Sequence, residues 1–296
     1  MANNLPATER VRVGAPGLSE MSTEALVGAM VSDLDAVRDG LTTATGALVA
    51  AIDRIAERMA AGGRLIYVGA GTSGRLAQLD AAECPPTFGT SADLVQALLA
   101  GGSEASTRAV EAAEDDEEDA VGQLSMVNPG DADTVLGITA SGSTPFVIAA
   151  MREARRRGVL TVGISCNLAA PLSAEVDLPI EVPVGEELLS GSTRMKCGTA
   201  QKVLLNTVST IAMVRLGKTY GRLMVDVRPT NAKLVERALR IVESVTGADR
   251  SIAARAFEES GHDTKASIVA ISRCISPEEA NDLLAAAGVR LDAVLA

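Results

Sequence analysis

The chain has 296 residues, enough for one large domain and a smaller one. Its 47% hydrophobic and 22% charged content suits a soluble globular protein, and no apolar run approaches the roughly 18 residues that a membrane helix needs. A net charge of −11 argues against nucleic acid as a partner, and a single histidine removes most histidine-based metal sites and the Ser-His-Asp triad. The four cysteines (Cys84, Cys166, Cys197, Cys274) are scattered without a C-x-x-C pair, which predicts reduced thiols that mostly pack. With a polar start, Met1 to Arg12, and no signal-peptide core, the expected location is the cytoplasm.

In chain order, residues 1–20 read as an arm with little core. Ser22 to Gly40 reads as a helix with Ser22 as its cap, and Gly46 to Ala61 as an amphipathic helix with Leu48, Ile52, Ile55 and Met59 on one face. Leu65 to Val68 is an apolar strand. It runs into a glycine turn, Gly69 to Gly74, and then a helical segment, Arg75 to Ala82, that Pro85 and Pro86 are expected to stop. Leu94 to Leu99, Asp133 to Thr139, Leu160 to Ser165 and Leu178 to Val182 read as further strands. Helices are expected between them at Glu104 to Leu124 and Phe146 to Arg157, and after them at Arg194 to Leu216. Strands alternating with helices imply an α/β fold: a parallel five-stranded sheet flanked by helices. From Val227 onward the pattern becomes purely helical, with Ser276-Pro277 a clear start signal, so a small helical C-terminal domain is expected. The expected division is 1–45 for the arm and first helix, 46–226 for the α/β domain and 227–296 for the helical region. In that last region His262 and Lys265 read as ordinary surface residues.

Gly69-x-Gly71-x-x-Gly74 after a strand matches the dinucleotide fingerprint, but the second strand ends in Gly101-Gly102-Ser103-Glu104 and supplies a poor ribose partner. A second hydroxyl-rich turn, Ser141-Gly142-Ser143-Thr144, follows the third strand. Two such turns at strand ends, with Thr72 and Ser73 in the first, suit one compact phosphate ester better than a dinucleotide. With aromatics at only 2% of residues, a sugar would be held by polar contacts rather than by ring stacking. Two glutamates are candidates for proton transfer. Glu83 ends the helix after the phosphate turn. Glu114 shares a helical stripe with Val110, Val121 and Leu124, while the rest of its acidic run points elsewhere. The residues alone thus reach a phosphosugar site with one or two acid/base carboxylates. A sugar-phosphate isomerase and a non-catalytic sugar-phosphate sensor both remain open.

These strings resemble the sugar isomerase (SIS) domain family. The resemblance covers about 20–290 and rests on Gly69-Ala-Gly-Thr-Ser-Gly-Arg-Leu76, Asp80-Ala-Ala-Glu-Cys-Pro-Pro-Thr87, Val110-Glu-Ala-Ala-Glu-Asp115, Gly163-Ile-Ser-Cys-Asn167, Gly191-Ser-Thr-Arg-Met-Lys-Cys-Gly-Thr-Ala-Gln-Lys202 and Leu223-Met-Val-Asp-Val227. It implies a SIS-type sheet and a lyase that removes a lactyl ether from a phosphorylated amino sugar by elimination and then hydration. In that scheme Glu114 is the base at C2. Glu83 is the acid that protonates the departing lactate and later activates water. The phosphate is held by Gly71, Thr72, Ser73, Ser141, Ser143 and Thr144. No cofactor and no metal are implied, and the family is homodimeric with the site near the subunit interface. Three places depart from the family pattern: Ser143 stands where a basic residue is usual, the arm segment Thr8-Glu-Arg-Val-Arg-Val13 lacks the usual Asn, and an Asn-x-Glu-Asp-like segment is degraded to Val31-Ser-Asp-Leu-Asp35.

Overall fold

Runs rich in Val, Ile and Leu, bounded by glycine or polar turns, become fully buried strands when helices cover both faces of a sheet. In the computed structural model, which describes residues 5–14 and 16–296, five such runs form one parallel sheet: β1 (Leu65–Gly69), β2 (Val95–Leu99), β3 (Thr134–Ile138), β4 (Leu160–Ser165) and β5 (Leu178–Glu181). The strand order is β2-β1-β3-β4-β5, and every residue of β1, β3 and β4 is buried. Residues 1–4, the beginning of the expected arm, lie outside the described residues. Because β1 lies between β2 and β3, the chain leaves β1 to one side and returns on the other. That makes the carboxyl ends of β1 and β3 the switch point of the sheet.

The helices are α1 (Thr23–Thr43), α2 (Thr45–Ala60), α3 (Gly71–Phe88), α4 (Glu117–Val127), α5 (Pro145–Arg156), α6 (Pro171–Ala174) and α7 (Lys196–Arg215). Ser22 caps α1, its Oγ accepting from Ala25 N–H at 3.2 Å. A core of Ile66, Val68, Leu124, Val135, Phe146, Val147 and Met151 packs α4 and α5 on the sheet. The chain forms two compact units, Met1–Ala81 with Asp93–Ser209, and Ala82–Ala92 with Thr210–Ala296. The second unit holds a two-stranded antiparallel pair, β6 (Thr219–Tyr220) and β7 (Leu223–Met224), which periodicity does not reveal. It also holds helices α8 (Ala232–Thr246), α9 (Arg250–Glu259), α10 (Thr264–Arg273), α11 (Pro277–Ala286) and α12 (Leu291–Leu295) around their own core of Val242, Phe257, Ile268, Val269 and Leu291.

Three expectations are corrected. The helix after β1 does not stop at the prolines. It starts at Gly71 and runs through Pro85 and Pro86 to Phe88, with Cys84 and Phe88 buried and Gly89 N–H closing the last turn on Pro85 O at 3.0 Å. Proline removes a backbone donor but its φ is helical, so buried side chains around it can carry the helix one turn further. The expected helix 104–124 is instead two 3-10 turns (Gly102–Ser106 and Ala113–Asp115) followed by α4. Ala112 adopts φ +57°, and Asp116 caps α4 by accepting from Asp119 N–H, so the helix cannot begin earlier. Lys265 is not a surface residue. It is 3% exposed, and its ammonium donates to Gly217 O (2.9 Å), Val289 O (2.7 Å) and Asp226 Oδ2 (2.9 Å). His262 is exposed as expected, 3.1 Å from the Glu258 carboxylate.

Candidate active site

The site is built on two glycine-dependent turns. A Cβ on Gly74 would lie 2.3 Å from Leu99 Cδ1 and 2.6 Å from Gly69 O, so only glycine lets α3 sit this close to β1. Gly71 differs: it has φ +52° and open space around it, so its backbone faces outward at the start of α3. The first turn of α3 therefore offers free N–H groups and its positive dipole end beside the Thr72 and Ser73 hydroxyls.

After β3 the second turn is tied together by its own hydroxyls. Thr139 Oγ1 is 2.6 Å from Thr144 Oγ1 and 3.2 Å from Ser141 Oγ, and Ser141 Oγ accepts from Ser143 N–H (3.2 Å) and Ser143 O–H (3.1 Å). Thr144 is the N-cap residue of α5, yet its side chain makes no capping bond. With Pro145 following, the start of α5 is a second helix dipole aimed at the switch point.

Between the turns lies a cleft of about 660 Å3. It is lined by Gly71, Thr72, Ser73, Ser141, Ser143 and Thr144, all six phosphate candidates, and by Glu114. The structure brings these seven together. Glu114 reaches the cleft from the 3-10 turn Ala113–Asp115, not from the face of a long helix. Sequence reasoning missed Pro6, Glu9, Asp115, Thr139, Gly191 and Thr193, which also line it. The Thr8-Glu9 and Gly191-Ser-Thr193 strings were the available signal. Glu83 is not part of this lining. It is an exposed residue of α3.

The described lining contains carboxylates (Glu9, Glu114, Asp115) and no Lys or Arg. A bound phosphate would be stabilised there by hydroxyls, backbone N–H groups and two helix dipoles. Behind the first turn, Ser73 O–H donates to Gln201 Oε1 at 2.9 Å, and Gln201 is fully buried. The Gln201 Nε2 group has no hydrogen-bond partner among the described residues. A buried donor left unpaired carries a desolvation cost of about 1–3 kcal/mol. Rotating the amide by half a turn would let Nε2 donate to Ser73 Oγ and free the Ser73 proton for a ligand.

The middle of α3 is anchored by Asp80. Its Oδ2 accepts from Tyr67 O–H (2.9 Å), and its Oδ1 accepts from Asn206 Nδ2 (2.6 Å) and Ser209 O–H (3.2 Å). Burial pushes the Asp80 carboxyl above its ordinary range, against those three hydrogen bonds. Lys196, 6% exposed at the start of α7, is held below its ordinary value by burial, with Asp33 4.0 Å away. Cys84, Cys166 and Cys197 are buried, as packing thiols should be, and Cys274 is exposed. Among the described residues, no helix is long and apolar enough to cross a membrane.

The parallel sheet and the cleft at its switch point define a SIS-domain protein. Residues 104–211 match the SIS domain model, and 47–155 match the model of the glucokinase regulatory protein N-terminal SIS domain. Among solved structures, a phosphoheptose isomerase from Francisella tularensis superposes with a TM-score of 0.51 at 16% identity, covering 66% of this chain and all of that one. Over nearly the whole length the likeness is much closer. N-acetylmuramic acid 6-phosphate etherase of Rubrobacter xylanophilus is 50% identical over 283 residues, 96% of this chain and 94% of that protein. The protein of the same name from Cutibacterium acnes is 45% identical, again over 96% of this chain and 94% of its own. The chain belongs to the N-acetylmuramic acid 6-phosphate etherase family.

Proposed function

We infer that this protein is a carbon–oxygen lyase that cleaves the D-lactyl ether of N-acetylmuramic acid 6-phosphate, giving N-acetylglucosamine 6-phosphate and D-lactate in amino-sugar recycling in the cytoplasm. The observation that carries this is similarity to named etherases over 96% of the chain, joined to a hydroxyl-lined cleft that holds Glu114. Ser73, Ser141, Ser143, Thr144, Thr72 and the Gly71 backbone bind the 6-phosphate. With the sugar ring open, the C1 aldehyde acidifies the C2 proton, and Glu114 takes it. The electron pair forms the C2–C3 double bond as the C3–O bond breaks, and Glu83 protonates the departing lactate oxygen. Glu83, now a carboxylate, activates water to add at C3, and Glu114 returns the proton to C2. Aldehyde activation makes a metal or cofactor unnecessary, so EDTA should leave turnover unchanged.

Glu83 is not among the residues that line the cleft, and the reaction needs it beside C3. The proposal is therefore a homodimer in which each cleft receives Glu83 from the partner subunit. The exposed apolar stripe of α1, Val27, Met30, Val31 and Leu34 at spacings of 3, 4 and 7, is a face that a second copy would cover. Two experiments test the reading. D-lactate release in ¹⁸O water should place label at C3 of the sugar; label in lactate would reject elimination and hydration, and no lactate would reject the reaction. Glu83→Ala and Glu114→Ala chains should each be inactive alone. After mixing and subunit exchange, about a quarter of wild-type activity should return, because half the dimers are mixed and each has one intact composite site. No recovery would place both glutamates of a site on one chain.

A further inference from the structure

The N-terminal arm is a wall of the cleft, and its docking is specific. Thr8 is fully buried: its N–H donates to Asn167 Oδ1 at 3.2 Å, and Asn167 Nδ2 donates to Thr8 Oγ1 at 3.0 Å. The same Nδ2 group donates to Ala140 O and Ser141 O, both at 3.2 Å, so one buried amide ties the arm to the serine turn. On the other side Ser190 O–H donates to Glu9 O (3.3 Å) and Arg10 O (3.2 Å), and Arg12 donates to Glu186 O at 2.9 Å. The backbone at Glu9 is thus held from both sides, and its side chain lines the cleft beside Gly191 and Thr193. A Cβ on Gly191 would lie 3.6 Å from Glu9 Oε2, an ordinary contact distance, which places the carboxylate beside that turn. No cation among the described residues pairs with Glu9.

We propose that Glu9 is a specificity-determining residue that recognises the sugar portion of the substrate by accepting hydrogen bonds from its hydroxyl or amide N–H donors. This rests on the phosphosugar reading of the same cleft. A carboxylate is acceptor-only, so its complement is a neutral donor. It repels a phosphate dianion, which leaves the hydroxyl cradle as the place for that group. Glu9 also repels a substrate carboxylate, so it marks the end of the cleft that takes the uncharged part of the sugar. The arm then acts as a selectivity wall: inorganic phosphate needs only the cradle, whereas a sugar phosphate needs both.

The test is calorimetric titration of the full-length protein with N-acetylglucosamine 6-phosphate and, separately, with inorganic phosphate. It does not depend on turnover, so a failure of the lyase reading is seen independently in the lactate assay. Glu9→Gln should weaken binding of the sugar phosphate about 10- to 100-fold, the range expected for a charge-assisted hydrogen bond. Inorganic phosphate should bind equally well or better. Thr8→Val keeps the buried volume and removes the Oγ1 acceptor. It should reproduce the selective loss more weakly, together with faster tryptic cleavage at Arg10 and Arg12 as the arm loosens. Unchanged sugar-phosphate affinity in Glu9→Gln would overturn the proposal. So would a parallel loss for both ligands, which would show that Glu9 only supports the cradle. Wild-type protein that binds neither ligand would overturn both this proposal and the phosphosugar reading.

Discussion

Lys265→Met should destabilise the second unit by about 3 kcal/mol, because the buried ammonium is a hub that nothing else can replace. Its three acceptors are Gly217 O, Val289 O and Asp226 Oδ2, at 2.7–2.9 Å. Methionine keeps the aliphatic stem and its packing but strands the two carbonyls, at about 1–3 kcal/mol each for an unpaired buried group. Asp226 retains Lys218 at 3.0 Å, so its carboxylate is not left alone. The relief of no longer burying an ammonium offsets part of the loss, which places the net near the lower end of the roughly 3–5 kcal/mol range for a broken buried pair. The assay is hydrogen exchange by mass spectrometry, read on peptides from residues 232–296. About 3 kcal/mol corresponds to exchange faster by about 100-fold or more under conditions where opening is at equilibrium. Lys218→Met is the control. It removes a cation from the same carboxylate, but Lys218 is 25% exposed, and a pair of that kind contributes at most about 1 kcal/mol. The reasoning fails if Lys265→Met speeds exchange by less than about fivefold, or if the two variants behave alike.

Ser73→Ala and Ser141→Ala should each raise KM for the sugar phosphate about tenfold or more with a smaller change in kcat, as loss of a hydrogen bond to a phosphate predicts; an unchanged KM would remove that serine from the cradle. Gln201→Leu leaves Ser73 without its buried partner, so KM should rise several-fold and inhibition by inorganic phosphate should weaken with it. If phosphate inhibition is unaffected, Gln201 does not orient Ser73. Asp133 accepts from Arg64 N–H (2.6 Å), Gly130 N–H (2.9 Å) and Arg64 Nη2 (2.6 Å). Burial alone would raise its carboxyl, but these donors hold it below the ordinary value. Its contribution is therefore fully present above the unfolded carboxyl pKa of about 3.9 and is lost as pH falls through the lower native value. Asp133→Asn should be less stable than wild type in urea at pH 7, with a gap that narrows below about pH 4; a gap that stays constant to pH 3 would refute the assignment.

Legibility in the sequence followed how local the physics was. The β4 strand, Leu160–Ser165, was readable to the residue, because a short run rich in apolar and β-branched residues after Gly158 specifies a buried strand without help from distant groups. The start of α11 was equally legible, since Ser276-Pro277-Glu-Glu279 forms a full capping box. The strip from 102 to 116 was misread because helical spacing of Val110 and Glu114 is also compatible with successive turns. Only the left-handed Ala112 and the Asp116 cap decide between them. The Pro-Pro pair was misread for a related reason. A local stop signal was outweighed by burial of Cys84 and Phe88, which a local reading does not weigh.

By itself the sequence determined the alternation of strands and helices, the two hydroxyl-bearing turns, and the glycines that let a helix start close against a strand. These depend on residues within one or two turns of each other, and their chemistry is written in the side chains. Only the tertiary structure decided what faces the cleft. It brought Glu9 there through the hydrogen bonds of neighbouring Thr8 to Asn167, 159 residues from Thr8, and drew in Glu114 from a 3-10 turn. It also buried Lys265 among three acceptors from distant segments. The placements of Glu9 and Lys265 are set by long-range hydrogen bonds whose partners carry no mutual spacing, so no period along the chain announces them.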